Sequence, residues 1–331
     1  LAITQSSVKE LVIAHVSYPL VHIFFVHSPI TYSIALATIE VQQLQQPVLI
    51  GARGIRGPAI HHYVASDGYW SISEVCDALQ CILAAAPNGA RIAIYVPHTM
   101  SLLGQLLRLS RRIVDIYYLE EGLTSADAGL QNGFQRPEPL YLDVLLQVMT
   151  DRDLLNTAEI DPAVLACLNM QVIRPFDSDH PRYAGCFAFS PDAFPGMPKV
   201  ARIALTKDPA PRQANLLSFY GMHNRIDDEA VLEQAYRDIF TIFTNLVAQQ
   251  PAGQRLLVKL HPRDDLLQPQ WLRLTLRLLK AGYADYCEQH ALDLHREPAL
   301  LNFNHYYFFG PTAQAKYVAQ CWGPERMTRL L

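Results

Sequence analysis

The sequence predicts an α/β protein of two Rossmann-like halves with a ligand cleft between them. Three observations predict it. Apolar runs of strand length alternate with segments of helical periodicity early in the 331-residue chain and again after residue 199, the pattern of parallel, doubly wound sheets. A stretch punctuated by Pro175, Pro181, Pro191, Pro195 and Pro198 separates the two series. Two polar motifs, Tyr118-Leu119-Glu120-Glu121-Gly122 and Lys259-Leu260-His261-Pro262-Arg263, each follow an apolar run. That places their side chains at the carboxyl ends of strands, the edge where open α/β sheets bind ligands.

The elements follow in order. Residues 21–27 read as a strand, and 32–44 as a helix from apolar residues at helical spacing. Residues 47–51 are a second strand, followed by the Gly/Arg loop 51–57. A helix is expected over 71–86, with Ser71 and Ser73 as candidate caps. Then come a strand over 91–96 ended by Pro97, a helix over 102–111, and the strand 113–119 that carries the two acids. Helices over 140–149 and 162–168 lie in the stretch that breaks the rhythm. Alternation resumes with a strand over 200–205 and an exit loop, Thr206-Lys207-Asp208-Pro209. A long helix over 226–249 opens on Asp227, Asp228 and Glu229, acids that suit a helix N-terminus. A strand over 256–260, a helix over 270–281, a strand over 306–309 and a helix from Pro311-Thr312 to residue 320 complete the series. The domains expected are 1–185 and 186–331, dividing within the Pro-rich region.

Composition narrows the function. With 50% hydrophobic and 18% charged residues the chain can bury substantial cores, and a formal net charge of -4 without a Lys/Arg tract argues against nucleic acid as a partner. The most apolar stretch, residues 13–30, is interrupted by His15, Ser17, Tyr18, Pro19, His22 and His27, so no membrane span is expected. No basic segment precedes a clean apolar core at the start, so no signal peptide is expected. The placement expected is cytoplasmic, with peripheral association with the inner membrane left open. The six cysteines form no CxxC pair, which points to reduced, mostly buried thiols.

The motifs carry the candidate chemistry. A carboxylate at a strand end, backed by a second acid, can act as a general base, and Gly122 permits the tight turn this requires. The same acids could be a solvated turn. His261 stands between Lys259 and Arg263 and before Pro262, which restricts it to extended or turn conformations at the sheet edge. A charged imidazole there suits a phosphate and a neutral one a metal; taken without the first motif, His261 reads as a structural loop residue. Thr312 is first a helix cap, and the same helix N-terminus could hold a phosphate oxygen. Three other features carry less. The loop 51–57 has GxxGxxG spacing and runs into Pro58, so it is no dinucleotide fingerprint; Arg53 and Arg56 could meet an anionic acceptor. The triplets Asp151-Arg152-Asp153 and Asp177-Ser178-Asp179 could suggest metal-dependent nucleotide-sugar transfer, but such triplets are common by chance and the first reads as a helix cap; the pair His61-His62 has no companion at metal spacing, so no catalytic metal is expected. His27 and Ser28 either line the cleft or pack at a strand end.

Taken together, the motifs resemble those of bacterial sialyltransferases and polysialyltransferases of GT-B architecture, over most of the chain's layout. Those families carry an acid-acid-Gly motif, an HP motif and a Ser-Ser or Ser-Thr motif in that order. Here they correspond to Glu120-Glu121-Gly122, His261-Pro262 and, loosely, Pro311-Thr312-Ala313, with Ala313 where a second hydroxyl would stand. Phe24-Phe25-Val26-His27-Ser28-Pro29 and Ile203-Ala204-Leu205-Thr206-Lys207 resemble the first strands of the two domains. The resemblance implies inverting transfer from a CMP-activated sialic acid, or a related ulosonic acid, to a glycan or glycolipid acceptor. Domain 1–185 would bind the acceptor and 186–331 the CMP-sugar. It implies Glu120 as general base with Glu121 supporting it, and His261 as the group acting on the leaving phosphate. Lys259, Pro262, Thr312 and Thr206 would lie around the donor, with Glu297 at the ribose. No cofactor is implied beyond the donor. A GT-B enzyme using a UDP- or GDP-sugar, and a non-catalytic glycan-binding or assembly subunit, remain the alternatives.

Overall fold

The computed structural model describes residues 19–65, 71–122, 124–135, 139–219, 229–249, 254–259, 285–286, 297–309 and 312–330. The first series builds β1 (Leu20–Val26), α1 (Pro29–Gln42), β2 (Val48–Gly51), β3 (His62–Tyr63), α2 (Ile72–Ala84), β4 (Arg91–Val96), α3 (Leu102–Leu109) and β5 (Ile113–Leu119). Short helices α4 (Leu142–Asp151), α5 (Leu154–Thr157) and α6 (Pro162–Leu165) follow, then β6 (Tyr183–Ala188) and β7 (Val200–Arg202). The second series is β8 (Asp208–Phe219), α7 (Glu229–Ala248), β9 (Arg255–Lys259), β10 (Asp285–Tyr286), β11 (Leu301–Phe309), α8 (Ala313–Trp322) and β12 (Met327–Arg329).

The helices begin where local chemistry directs. Ser28, Ser71, Ser101 and Thr312 are N-caps whose hydroxyls accept from the first turns of α1, α2, α3 and α8. Ser28 and Thr31 complete a capping box, and Pro29 supplies a pre-set φ at the first turn of α1. At the other end of α2, the buried Arg112 guanidinium donates to the carbonyls of Leu83, Ala86, Pro87 and Ala90. The guanidinium thus ties the last turn of α2 to the loop that leads into β4.

The strands form two sheets, with order β3-β2-β1-β4-β5-β6-β7 in the first and β10-β9-β8-β11-β12 in the second. Every pairing among the described strands of both is parallel. Two doubly wound sheets of Rossmann type, the two-unit layout of GT-B proteins, are therefore present. In the first sheet the winding reverses between β1 and β4, and in the second between β8 and β11. Those reversals leave crevices at the carboxyl ends of the strands.

The first core lies between one face of the first sheet and α2, α3 and the short helices, around Ile23, Ile94, Leu106 and Met149. The second joins the other face of that sheet to the second unit, through Phe24, Tyr95, Leu119 and Phe187 on one side and Leu216, Phe303, Ala315 and Tyr317 on the other. Tyr95 stacks between Phe24 and Tyr117, at centroid distances of 4.0 and 4.5 Å, so neighbouring strands lock side by side.

The sheets divide later in the chain than expected. β6 and β7 belong to the first sheet, so the division falls at residues 203–207 rather than 185. A short apolar strand does not reveal which sheet it joins, and the Pro-rich loop returns Val200–Arg202 alongside β6. Asp208-Pro209, read as an exit loop, instead opens the longest strand of the second sheet. Pro209 and Pro211 sit at its start, where the register to β11 is irregular and a missing N–H is tolerated. The helix expected over 270–281 lies outside the described residues. Among the described residues no helix is long and apolar enough to cross a membrane.

Candidate functional site

Strand β5 ends in the turn 120–122, and its two acids leave on opposite sides because side chains alternate along extended backbone. Glu120 continues the ladder, its N–H donating to the Phe187 carbonyl at 3.0 Å. Its side chain is buried, with Oε2 accepting from the Phe189 and Ser190 N–H groups at 2.7 and 2.8 Å. Its Oε1 accepts from the Ser190 hydroxyl and from the Tyr317 hydroxyl at 3.0 Å. Four donors thus enclose the carboxylate, one of them from α8 of the second unit. Glu120 is a pin between the units.

Glu121 turns the other way, to the crevice where the first sheet reverses. His27 Nε2 lies 2.7 Å from Oε1, His98 Nε2 lies 3.4 Å from Oε2, and an Arg53 nitrogen lies 3.9 Å from Oε1. Each group leaves a different strand: Arg53 follows β2, His27 β1, His98 β4 and Glu121 β5, in the order the strands stand in the sheet. The two imidazole rings are tilted by 55° with centroids 5.6 Å apart, and both histidines are buried.

The loop bearing His98 is held tightly. Thr99 donates its N–H to the Pro175 carbonyl at 2.8 Å, and α3 packs directly on the loop at Gly104, where a Cβ would come within 2.5 Å of the Thr99 Cα. The Glu121 N–H donates to the Ser125 hydroxyl at 2.6 Å.

Burial works to raise the Glu121 carboxyl, but the charges of His27 and His98, the hydrogen bond from His27 and the charge of Arg53 outweigh it and hold the group at about 2. A folded-state value below the ordinary 4.5 means that Glu121 stabilises the fold above that value, and that this contribution is lost as the pH falls towards 2. Acid unfolding of a Glu121→Gln variant should therefore show a shallower loss of stability between about pH 4.5 and 2 than the parent protein. Equal slopes in that window would show that the carboxylate is not held by the cluster.

The second sheet has its own cluster at its reversal. The buried Ser218, at the end of β8, donates its hydroxyl to Gln314 Oε1 at 2.7 Å, and Gln314 Nε2 donates to Glu297 Oε1 at 2.7 Å. Burial pushes the Glu297 carboxyl up, against the pull of the Lys259 ammonium at the end of β9 and the hydrogen bond from Gln314. Thr312 is the N-cap of α8, its hydroxyl accepting from the Gln314 N–H at 3.2 Å.

The two edges meet at the start of α8. Gly122 has φ of +53°, and a Cβ there would come within 3.3 Å of the Ala313 Cβ. Glycine at that turn allows both the left-handed backbone and the approach of α8. The helix is also tied to the first unit by Lys316 to Asp192 and by Gln320 Nε2 donating to the Phe189 carbonyl at 3.0 Å.

The expected site residues fall into three places. Glu120 and Glu121 stand beside the α8 start that carries Thr312, while Lys259 and Glu297 share the carboxyl edge of the second sheet. Thr206 is exposed and precedes β8, so it lies at the amino edge, with the 12-residue strand between it and that cluster. His261, Pro262 and Pro311 lie outside the described residues. His98, Gln314, Ser218 and Tyr317 were not expected in the site. The signal for His98 was its position just after an apolar strand and a proline.

No protein-family model and no curated protein matches the sequence. Among solved structures, the chain is similar to a UDP-N-acetylglucosamine 2-epimerase from Rickettsia bellii, at 12% identity and a TM-score of 0.40, over 88% of this chain and 74% of that one. It is also similar to the UDP-GlcNAc 2-epimerase of Methanocaldococcus jannaschii, at 15% identity and a TM-score of 0.33, over 88% of this chain and 78% of that one.

Proposed function

We propose that the protein is a sugar-nucleotide-dependent glycosyltransferase that moves an acidic ulosonic sugar, sialic acid or a relative, from its CMP-activated form to a glycan hydroxyl. The observation that carries this reading is the meeting of the Glu120-Glu121-Gly122 turn with the start of α8. It sets the carboxylate cluster of one parallel sheet beside the helix that caps the reversal of the other. The order of the acid-acid-Gly and His-Pro motifs along the chain supports CMP as the donor nucleotide.

In this reading Glu121 is the base and Glu120 holds the units together. The acceptor hydroxyl loses its proton to Glu121 as its oxygen bonds the anomeric carbon, and the bond from that carbon to the CMP phosphate breaks with its electron pair. With His27 and His98 neutral, the Arg53 charge alone still opposes the rise that burial causes in the carboxyl's proton affinity, so this is the form that accepts. Arg53, from the neighbouring loop, suits an anionic group on the acceptor. The resemblance assigns Lys259 and His261 to the leaving phosphate and Glu297 to the ribose, and Thr312 with the first turn of α8 offers further donors.

A thermal-shift comparison of CMP, UDP and GDP tests the donor assignment. A ligand bound only by the folded state raises its unfolding temperature, and CMP is expected to raise it most. Equal shifts for all three, or a larger shift with UDP, would count against a cytidine site.

A further inference from the structure

His27, His98 and Glu121 bring two imidazoles and a carboxylate together, and their donor atoms also suit a metal ion. We infer that these three side chains form a binding site for a transition-metal ion of the zinc class, and that occupancy takes Glu121 out of service as a base. The metal site stands on geometry alone; only its inhibitory effect rests on the transfer reading.

The three residues each offer one ligand atom, and those atoms lie within 4.8 Å of one another. The two imidazoles present Nε2 rather than a mixture of nitrogens, so both rings converge on one carboxylate. A tetrahedral ion with bonds of about 2.0–2.2 Å sets its ligand atoms about 3.3 Å apart. The separations of 2.7 Å from His27 to Oε1 and 3.4 Å from His98 to Oε2 stand on either side of that value, and all three ligand atoms lie within 4.8 Å of one another. Two imidazoles and one carboxylate are a donor set for a borderline ion, which separates this site from the all-oxygen sets of magnesium and calcium.

Support for the ligands is rigid. They leave the ends of three strands adjacent in one sheet, β1, β4 and β5. His27 is further fixed by its N–H donating to the Thr31 hydroxyl at 3.2 Å, and the His98 loop by the contact at Gly104. Three protein ligands leave a fourth position for water or an acceptor oxygen. Arg53 is the opposing charge, but its side chain is 23% exposed and attached to a loop, so it can withdraw to solvent. Binding replaces protons on the imidazoles with the ion.

Co²⁺ titration of the purified chain, followed by its visible d–d absorption, tests the site. One equivalent is expected to bind saturably and to be displaced by Zn²⁺. His98→Ala and Glu121→Gln are each expected to weaken binding at least tenfold, while His62→Ala, which alters an exposed histidine on β3, leaves it unchanged. Should His98→Ala fail to fold, Glu121→Gln decides, since it keeps the side-chain volume. Absence of saturable binding, or binding unaltered by these variants, would overturn the site. Binding as described in a protein that never turns over a CMP-sugar would leave the metal site standing and remove the transfer reading. If transfer proceeds and Zn²⁺ at saturation leaves its rate unchanged, the inhibitory role is wrong.

Discussion

Glu121→Gln is expected to lower acceptor-dependent transfer by about two to four orders of magnitude, the loss typical of removing a positioned general base. Gln keeps the size of the side chain and can still accept from His27, so the crevice retains its shape. CMP affinity should be nearly unchanged, because the donor is assigned to the second sheet while Glu121 stands among Arg53, His27 and His98 of the first. Single-turnover kinetics with saturating donor separate the two effects. Near-normal turnover in the variant would remove Glu121 from the mechanism, and a large loss of CMP affinity would place it on the donor side.

Glu120→Ala is expected to act on stability, by about 3–5 kcal/mol, because several buried donors lose their acceptor at about 1–3 kcal/mol each. Truncation leaves the Phe189 and Ser190 N–H groups and the Ser190 and Tyr317 hydroxyls without their acceptor. The Tyr317 bond crosses from α8 to the first unit, so the contact between units should loosen with the fold. Glu120→Gln retains one acceptor oxygen and should destabilise far less, with turnover within about tenfold of the parent. Denaturant midpoints for the two variants check this. A stable Glu120→Ala protein would show that the carboxylate is not the pin the geometry describes.

The strand–helix alternation was legible because each run in the first series is long and bounded by Pro, Gly or a capping Ser. Arg91–Val96 and Ile113–Leu119 stand where their apolar runs place them. Tyr183–Ala188 was not legible, since a six-residue strand among prolines carries no periodicity to set it apart from a loop. The second sheet's long strand was obscured by Pro209 and Pro211 at its start.

The acidic turn is legible at a strand end, but not which of its two acids turns to the crevice and which to the second unit. Which acid faces the crevice depends on the register of β5 against β6, fixed by the Glu120 N–H to Phe187 carbonyl bond across 67 residues of chain. His27 and His98 stand 71 residues apart, and only the strand order β1-β4-β5 brings both to Glu121. Strand-end position can be read from a sequence, whereas strand order in a sheet is set by packing.

Offering CMP-, UDP- and GDP-activated sugars together, with a glycan acceptor, tests the central claim most directly. Chromatography identifies the nucleotide freed, and the mass gained by the acceptor identifies the sugar moved. The account predicts that CMP alone appears, in step with an acceptor heavier by one acidic ulosonic residue. Release of UDP or GDP, or no consumption of any donor across a panel of glycans, would contradict it.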